Sequence, residues 1–375
     1  MRFAHLSDTH LGFRQYGIYE RETDFYRAFE RVVSKIIEER PDFVIHSGDM
    51  FDSPKPPPRA IWVAHRALSR LKEKNIPVYA ITGNHDMLFR RGAMPPQMLL
   101  RDAGVRLLSE EEPFVVHKGI FIGGVPYFSG HSSESLKEIL SMLSEKSKAY
   151  RKSIVMIHQG IDRYLPKGYE LLEKDIPKGF SYYAMGHIHS RIKERFGKGM
   201  LVYPGSTELW SANEYDDYRS RGKGFTLVDM SRGEPDAQHI DVPLEREIIR
   251  KRIKGDAEKA LAALEREISV MPQKPLLYLE VADSAYERSA LHELINSRLS
   301  SLVIGMRTSF VSSLKETVSG SISRELSIPQ MDDILREMLG DRKKADFASM
   351  LYKTLSSGNV EKAVEGAERF YRGMK

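Results

Sequence analysis

The sequence predicts an α/β layered fold, and three observations carry that expectation. Strand and helix patterns alternate through the first 85 residues, and the alternation returns between about 120 and 229. The residues able to hold metal ions, finally, close the strands. In open α/β sheets ligands gather beyond the carboxyl ends of the strands, where loops converge.

Residues 3–7 read as a short strand ending in Ser7-Asp8-Thr9-His10. A helix follows over about 23 to 39, with Phe25, Ala28, Phe29, Val32, Val33, Ile36 and Ile37 at i, i+3, i+4 spacing and Pro41 as its stop. The apolar run from Phe43 to Asp49 reads as a buried strand leading into a Gly48 turn. Pro58 then opens a helix to about 74, a favourable first position for proline. Pro77 to Thr82 forms the third strand, ahead of Gly83-Asn84-His85-Asp86. Further strands are expected at 120–125, 153–158, 181–186, 200–204 and 224–229, with a helix over 133–149. They deliver His158-Gln159-Gly160, Gly186-His187-Ile188-His189 and Tyr203-Pro204-Gly205-Ser206.

Beyond about 240 the pattern changes. Helices over 256–269 and 285–299 and strands over 276–282 and 302–311 predict a small second α/β unit, placed at 241–316 after a first domain of 1–240. The Ser-rich stretch 317–330, with Gly320 and Pro329, reads as a linker. Residues 331–375 carry three short amphipathic pieces: Ile334, Leu335, Met338, Leu339; then Phe347, Met350, Leu351, Leu355; then Val360, Ala363, Val364, Ala367, Phe370, Tyr371.

At 375 residues the chain is too long for a single core. Its 41% hydrophobic and 29% charged residues suit an ordinary globular protein. The absence of cysteine excludes disulfides, thiolate metal sites and a cysteine nucleophile. Lys plus Arg, 57, exceeds Asp plus Glu, 52, and the pI is near 9.0. That mild basicity is compatible with nucleic acid, and equally with a solvated basic surface. Met1-Arg2-Phe3 runs straight into the first strand without a signal-peptide pattern, and no apolar stretch approaches the ~20 residues that span a membrane. An intracellular protein is therefore expected.

Asp8-x-His10 and His187-x-His189 each put both side chains on one face of an extended segment. Either pair alone is weak, and His158 after four apolar residues would pass for a core histidine. Gly83-Asn84-His85 says more, because Gly permits a tight turn, Asn offers a neutral oxygen, and His85 can act without being a ligand. Asp49 delivers a carboxylate whose two oxygens can serve two cations. Together these hard oxygens and imidazoles suit a two-metal site for Mn, Fe or Zn.

The constellation resembles the calcineurin-like metallophosphoesterase superfamily. Its His158-Gln159-Gly160-Ile161, Tyr183-Ala184-Met185-Gly186-His187-Ile188-His189 and Tyr203-Pro204-Gly205-Ser206 are similar to the archaeal Mre-eleven/SbcD-type nucleases of DNA double-strand-break repair. The resemblance implies a layered sheet sandwich flanked by helices, a capping domain and a helical docking segment. It implies one cation held by Asp8, His10, Asp49 and His189, and a second by Asp49, Asn84, His158 and His187. Two Mn2+ ions are the expected cofactors, with Fe or Zn as alternatives. His85 is implied as general acid or charge stabiliser, with Asp86 orienting it from behind. Several family members carry His where this chain has Asp52. A carboxylate there cannot donate as imidazolium does, which leaves the balance of exonuclease and endonuclease activity open.

The resemblance further implies action on double-stranded ends and single strands of DNA, in archaeal cytoplasm at the nucleoid. Lys55, Arg59, Arg90, Arg91 and Arg191 lie near the motifs and are the expected phosphate contacts. Ile61, Trp62, Met98 and Leu99 are apolar residues left over from single helix faces, and the resemblance makes them a homodimer interface. An SMC-like ABC ATPase is the implied partner of 331–375. Two other classes use the same residues: a phosphatase or small-phosphodiester phosphodiesterase, and a non-catalytic DNA-end scaffold. The amphipathic tail argues against the first, and the full ligand set against the second.

Overall fold

A computed structural model describes residues 1–87, 94–129, 133–282, 287–311 and 342–356, together with 366–367 and 370. Its first unit, Met1–Ser309, is built on two six-stranded sheets. In the first sheet β1 (Arg2–Leu6), β2 (Phe43–Ser47), β3 (Val78–Ile81) and β4 (Val105–Leu107) run parallel. β11 (Gly224–Asp229) and β12 (Asp236–Asp241) extend it antiparallel beyond β1. The second sheet has the order β5 (Phe114–His117), β6 (Ile120–Val125), β7 (Lys152–His158), β8 (Tyr182–Gly186), β10 (Gly199–Tyr203), β9 (Ile192–Phe196). Its four central strands are parallel and both edges antiparallel.

The sheets face one another across a core of Phe3, Phe43, Ile45, Ile81, Ile122, Ile154, Met156, Tyr182 and Val228. Central strands covered on both faces read as continuous apolar runs, and β2 and β7 do. Truncating a residue such as Ile45, fully buried here, costs about 2–5 kcal/mol in cores of this kind. Helices close the two outer faces. α1 (Tyr19–Glu39) and α2 (Pro58–Glu73) cover the first sheet with the stripe Phe29, Val32, Val33, Ile36 against Ala60, Ala64, Ala67 and Leu71. α3 (Ser133–Ser147) covers the second through Leu136, Leu140 and Leu143. Pro57 and Pro58 set the start of α2, and α1 ends on left-handed Arg40 just before Pro41.

After β12 the chain adds a three-stranded sheet, β13 (Ile248–Lys254), β14 (Leu276–Ala282) and β15 (Gly305–Val311), with α5 (Ala257–Ser269) and α6 (Arg288–Leu299). Its entrance is tied to the body by buried charges: Arg246 donates to both oxygens of Asp24, and Asp24 also accepts from Arg21. The second unit, Phe310–Lys375, contains the helix Arg342–Ser356, with Phe347 stacked on Phe370 at 3.9 Å. The linker 317–330 and the amphipathic pieces around 334 and 360 lie outside the described residues.

Four short strands escape the sequence reading. β4 and β9 are edge pieces of three and five residues with no apolar run, β5 is an edge strand of only four residues, and β12 alternates polar residues at the other rim. β13 is the fifth, hidden by Arg250, Lys251, Arg252 and Lys254. The first helix also begins earlier than expected, at Tyr19. Among the described residues no helix is long and apolar enough to cross a membrane.

Candidate metal centre

Both sheets end at one seam, and the structure brings Asp8, His10, Asp49, Asn84, His85, His158, His187 and His189 together there. Asp8 and His10 follow β1, Asp49 follows β2, and Asn84 and His85 follow β3; His158 closes β7, and His187 and His189 follow β8. The chain turns sharply at each point. Asp8, His10, Asp49 and His187 all have positive φ, at 53°, 44°, 52° and 89°. Such backbone in non-glycine residues is uncommon and concentrates at functional sites. Glycines make room for it. A Cβ on Gly48 would lie 2.3 Å from His158 Nδ1, and one on Gly186 would lie 2.0 Å from the Ser47 carbonyl.

The side chains gather in two groups that share Asp49. In the first, His10 Nε2 and His189 Nε2 face each other at 3.1 Å, with Asp8 Oδ1 3.8 Å from the latter. In the second, the Asn84 side-chain oxygen lies 3.1 Å from His158 Nε2 and 3.0 Å from His187 Nδ1. Asp49 Oδ2 stands between them, 3.8 Å from His10 Nε2 and 3.3 Å from His158 Nε2. Two imidazole nitrogens and a carboxylate at such range call for a proton or a cation between them.

Three of the four imidazoles are also hydrogen-bonded from behind on their other nitrogen, and the fourth faces a carboxylate at longer range. His10 Nδ1 pairs with Asp52 Oδ1 at 3.1 Å, and His189 Nδ1 with Glu214 Oε1 at 3.0 Å. His158 Nδ1 donates to the Ser47 carbonyl at 2.7 Å, and His187 Nε2 faces Glu170 Oε1 at 3.6 Å. Outer acceptors of this kind fix the tautomer of a ligating histidine and leave the inner lone pair free. The donor set therefore fits divalent cations bound by oxygen and imidazole.

Charge follows the same plan. Burial alone would raise the Asp49 carboxyl, but His158 beside it holds it far below the usual carboxylate range. Burial would lower His158, yet Asp49 and Asp8 raise it to about 9, so a proton on His158 balances the carboxylates. Burial, with His158 close by, pushes His187 down to about 4 and keeps its ring neutral. Glu214 is held down to about 2 by Lys223 and His189 against the effect of its burial.

His85 stands at the mouth, 30% exposed, with its ring edge-on to His10. Its backbone N–H donates to Asp49 Oδ1 at 2.9 Å and its Nδ1 to the Asp52 carbonyl at 3.1 Å, which leaves Nε2 directed elsewhere. Asp86 does not orient this ring, contrary to the expectation from sequence. Its carboxylate accepts from the backbone N–H groups of Met50, Phe51 and Gly83 and so splints the two loops together. Burial, with Asp49 near, raises that carboxyl to about 7.

Lys55 and Arg59 are exposed; Arg59 bonds the Tyr19 hydroxyl and lies over the Tyr19 and Tyr26 rings. Arg191 is a correction. It is 7% exposed, and its guanidinium is committed to Asp241 and to the carbonyls of Arg221 and Ile240, so it joins loop to sheet rather than meeting a phosphate. Arg90 and Arg91 lie outside the described residues. Trp62, Met98 and Leu99 are 56%, 44% and 48% exposed, Ile61 is half-buried, and Leu100 packs inside.

Glu214, Lys223, Glu170 and Trp210 were not anticipated. Glu214 had a readable signal, because Ser211-Ala212-Asn213-Glu214 is a capping box and its Oε1 also accepts the Ser211 backbone N–H. Lys223, 1% exposed, donates to Glu214 Oε2, Ser206 Oγ and the His189 carbonyl. Trp210 donates its indole N–H to Asp52 Oδ1 and stacks on Phe13, with its ring 5.9 Å from His10 and 5.8 Å from His189. Nothing local in the sequence announces those contacts.

The profile of the calcineurin-like phosphoesterases matches residues 1–191. The chain is similar to the DNA double-strand break repair protein Mre11 of Methanocaldococcus jannaschii, 42% identical over 281 residues, 74% of this chain and 76% of that one. It is 36% identical to the protein of the same description from Methanococcus maripaludis over 385 aligned positions, 100% of each chain. With that from Thermoplasma acidophilum it shares 32% over 378 positions, 98% of this chain and 97% of the other.

Proposed function

We propose, for a chain that belongs to the Mre11 family of calcineurin-like phosphoesterases and is thereby a metal-dependent hydrolase, that its substrate is DNA at double-strand breaks. The observation that carries the chemistry is Asp49 Oδ2 standing between two imidazole groups. On this reading Asp8, His10, Asp49 and His189 hold one divalent cation, and Asp49, Asn84, His158 and His187 the other. Mn2+ is the cation proposed, with Fe or Zn as alternatives. Such a pair supplies charge to neutralise an in-line phosphoryl transition state and lowers the pKa of the attacking water.

The protein's own groups do the rest. Asp52, Glu214 and the Ser47 carbonyl take the outer nitrogens of His10, His189 and His158 and so direct the inner nitrogen of each ring toward the ions. At His158 a cation would take the place of the proton held there beside Asp49. His85, anchored at Nδ1, presents Nε2 to the leaving oxygen as general acid. Exposed Lys55 and Arg59 meet the DNA backbone, a contact of charge rather than sequence. Cleavage of both ends and single strands is proposed.

The chain is read as a catalytic domain at 1–240, a cap at 241–316, a linker at 317–330 and a docking segment at 331–375 for an SMC-like ABC ATPase. Isolated helices shorter than ~12–15 residues are marginal in water. The helix Arg342–Ser356 stacks Phe347 on Phe370 of the last piece, and the segment is proposed to complete its cover on the ATPase. Trp62, Ile61, Met98 and Leu99 are proposed to pair two copies. The deciding experiment offers linear duplex and circular single-stranded DNA beside p-nitrophenyl phosphate and cyclic nucleotides, with Mn2+ and with EDTA. Mn2+-dependent cleavage of DNA far above the small esters supports the reading. The opposite preference makes the chain a phosphatase or small phosphodiesterase, and no turnover at all makes it a scaffold.

A further inference from the structure

The two halves of the centre differ in one inner donor and in what stands behind their imidazoles. Around the His10–His189 half, both imidazoles rest on carboxylates, Asp52 at 3.1 Å and Glu214 at 3.0 Å. Asp8 is the third carboxylate, fully buried, its Oδ1 3.8 Å from His189 Nε2 and 4.0 Å from His158 Nε2, and the shared Asp49 is the fourth. Lys223 offsets the outermost of them, its ammonium bonded to Glu214 Oε2, Ser206 Oγ and the His189 carbonyl. The His158–His187 half has a neutral amide, Asn84, in place of Asp8. One of its imidazoles rests on a carbonyl, that of Ser47, and the other faces Glu170 only at 3.6 Å. Glu170 is already occupied by the Gly160 N–H and the Tyr127 hydroxyl.

Outer-shell acceptors raise the basicity of a ligating imidazole and hold its orientation, and their loss typically costs ~10–100-fold in metal affinity. Buried carboxylates add attraction that salt screens little. We propose that Asp52 and Glu214 are positioning residues that make the two cation positions unequal. The Asp8–His10–His189 position fills first and keeps its ion, while the Asn84–His158–His187 position exchanges. The inference rests on the dinuclear reading above. Its consequence is regulatory: the occupancy of the second position, and so the activity, follows the free cation concentration.

Trp210 reports which position fills. Its ring lies against His10 and His189, and the chain has one other tryptophan, the exposed Trp62. In a Trp62→Phe background, Mn2+ is titrated into the full chain, with free Mn2+ followed by electron paramagnetic resonance and Trp210 by its emission. Quenching by paramagnetic Mn2+ is expected to be complete with the first equivalent, and a second equivalent should bind more weakly. Asp52→Asn, which keeps an acceptor and removes the charge, should weaken the quenching class ~10–100-fold and spare the other. Glu214→Gln is made with Lys223→Met, so that no buried ammonium is orphaned, and should act the same way. Glu170→Gln should touch only the weaker class. Two equal classes, quenching that follows the second equivalent, or an unchanged first class in Asp52→Asn would overturn the proposal. No Mn2+ binding in the wild type, or unaltered binding in Asp49→Ala, would instead bring down the dinuclear reading itself.

Discussion

Gly83 and Asp49 touch so closely that a Cβ on the glycine would lie 2.1 Å from Asp49 Oδ1. The β3 turn thus presses its backbone against the carboxylate shared by both halves of the centre. Gly83→Ala is therefore expected to push Asp49 aside and to abolish two-ion Mn2+ binding, read by calorimetry, while the sheets stay folded by circular dichroism. A variant that binds two ions like wild type would show that Asp49 can move without loss.

Replacing Asp49 itself should weaken both positions, because one carboxylate spans them. Crystals of Asp49→Ala soaked in Mn2+ are expected to show reduced anomalous signal at both positions. Two full peaks there would remove Asp49 from its bridging place.

His85 touches the centre only through its backbone and ring edge. His85→Gln should bind Mn2+ and DNA with wild-type affinity and lose turnover by ~10²–10⁴, the range of general acid–base assistance. Weakened Mn2+ binding would make it a ligand, and unchanged turnover would take it out of the chemistry.

The His158–Asp49 pair sets a pH dependence. His158 is raised from 6.5 to about 9, so its contribution to metal-free stability is complete below about 6.5 and is lost as pH rises through 9. A cation must displace that proton, so apparent Mn2+ affinity should climb across this window and level off above it. Calorimetry in buffers of different ionisation enthalpy should register the released proton. A flat affinity over that range would exclude His158 as a ligand.

Trp62→Glu places a carboxylate on the exposed surface of α2 and leaves the α2 core stripe untouched. A two-copy assembly through that surface should fall to single chains in sedimentation velocity, with Mn2+ binding per chain unchanged. Sedimentation as in wild type would put the interface elsewhere.

Much of the centre could be read from the chain because its residues sit at the ends of apolar strands or within four positions beyond them, and β2 and β7 declare themselves by composition. Asp8, Asp49, Asn84 and His158 were all placed by that logic. The supports behind them were not, since an outer partner is defined across the fold: Glu214 meets His189 over 25 residues and Trp210 meets Asp52 over 158. Asp86 shows the limit from the other side. Its neighbour in sequence is His85, yet its carboxylate spends itself on the backbone of two loops. Arg191 does likewise, its charge consumed by Asp241 and two carbonyls inside the body. Proximity along the chain says where a charge begins, and only packing says where it is used.

The seam between the sheets has a consequence for the newborn chain. Asp8, His10, Asp49 and Asn84 are translated early, but the imidazoles that complete both halves arrive with β7 and β8, and Glu214 later still. A chain that ends before β8 completes neither half, and neither sheet by itself carries the whole set. A proteolytic fragment holding one sheet alone is therefore expected to bind no pair of ions. Competence arrives only with the closure of the finished sandwich.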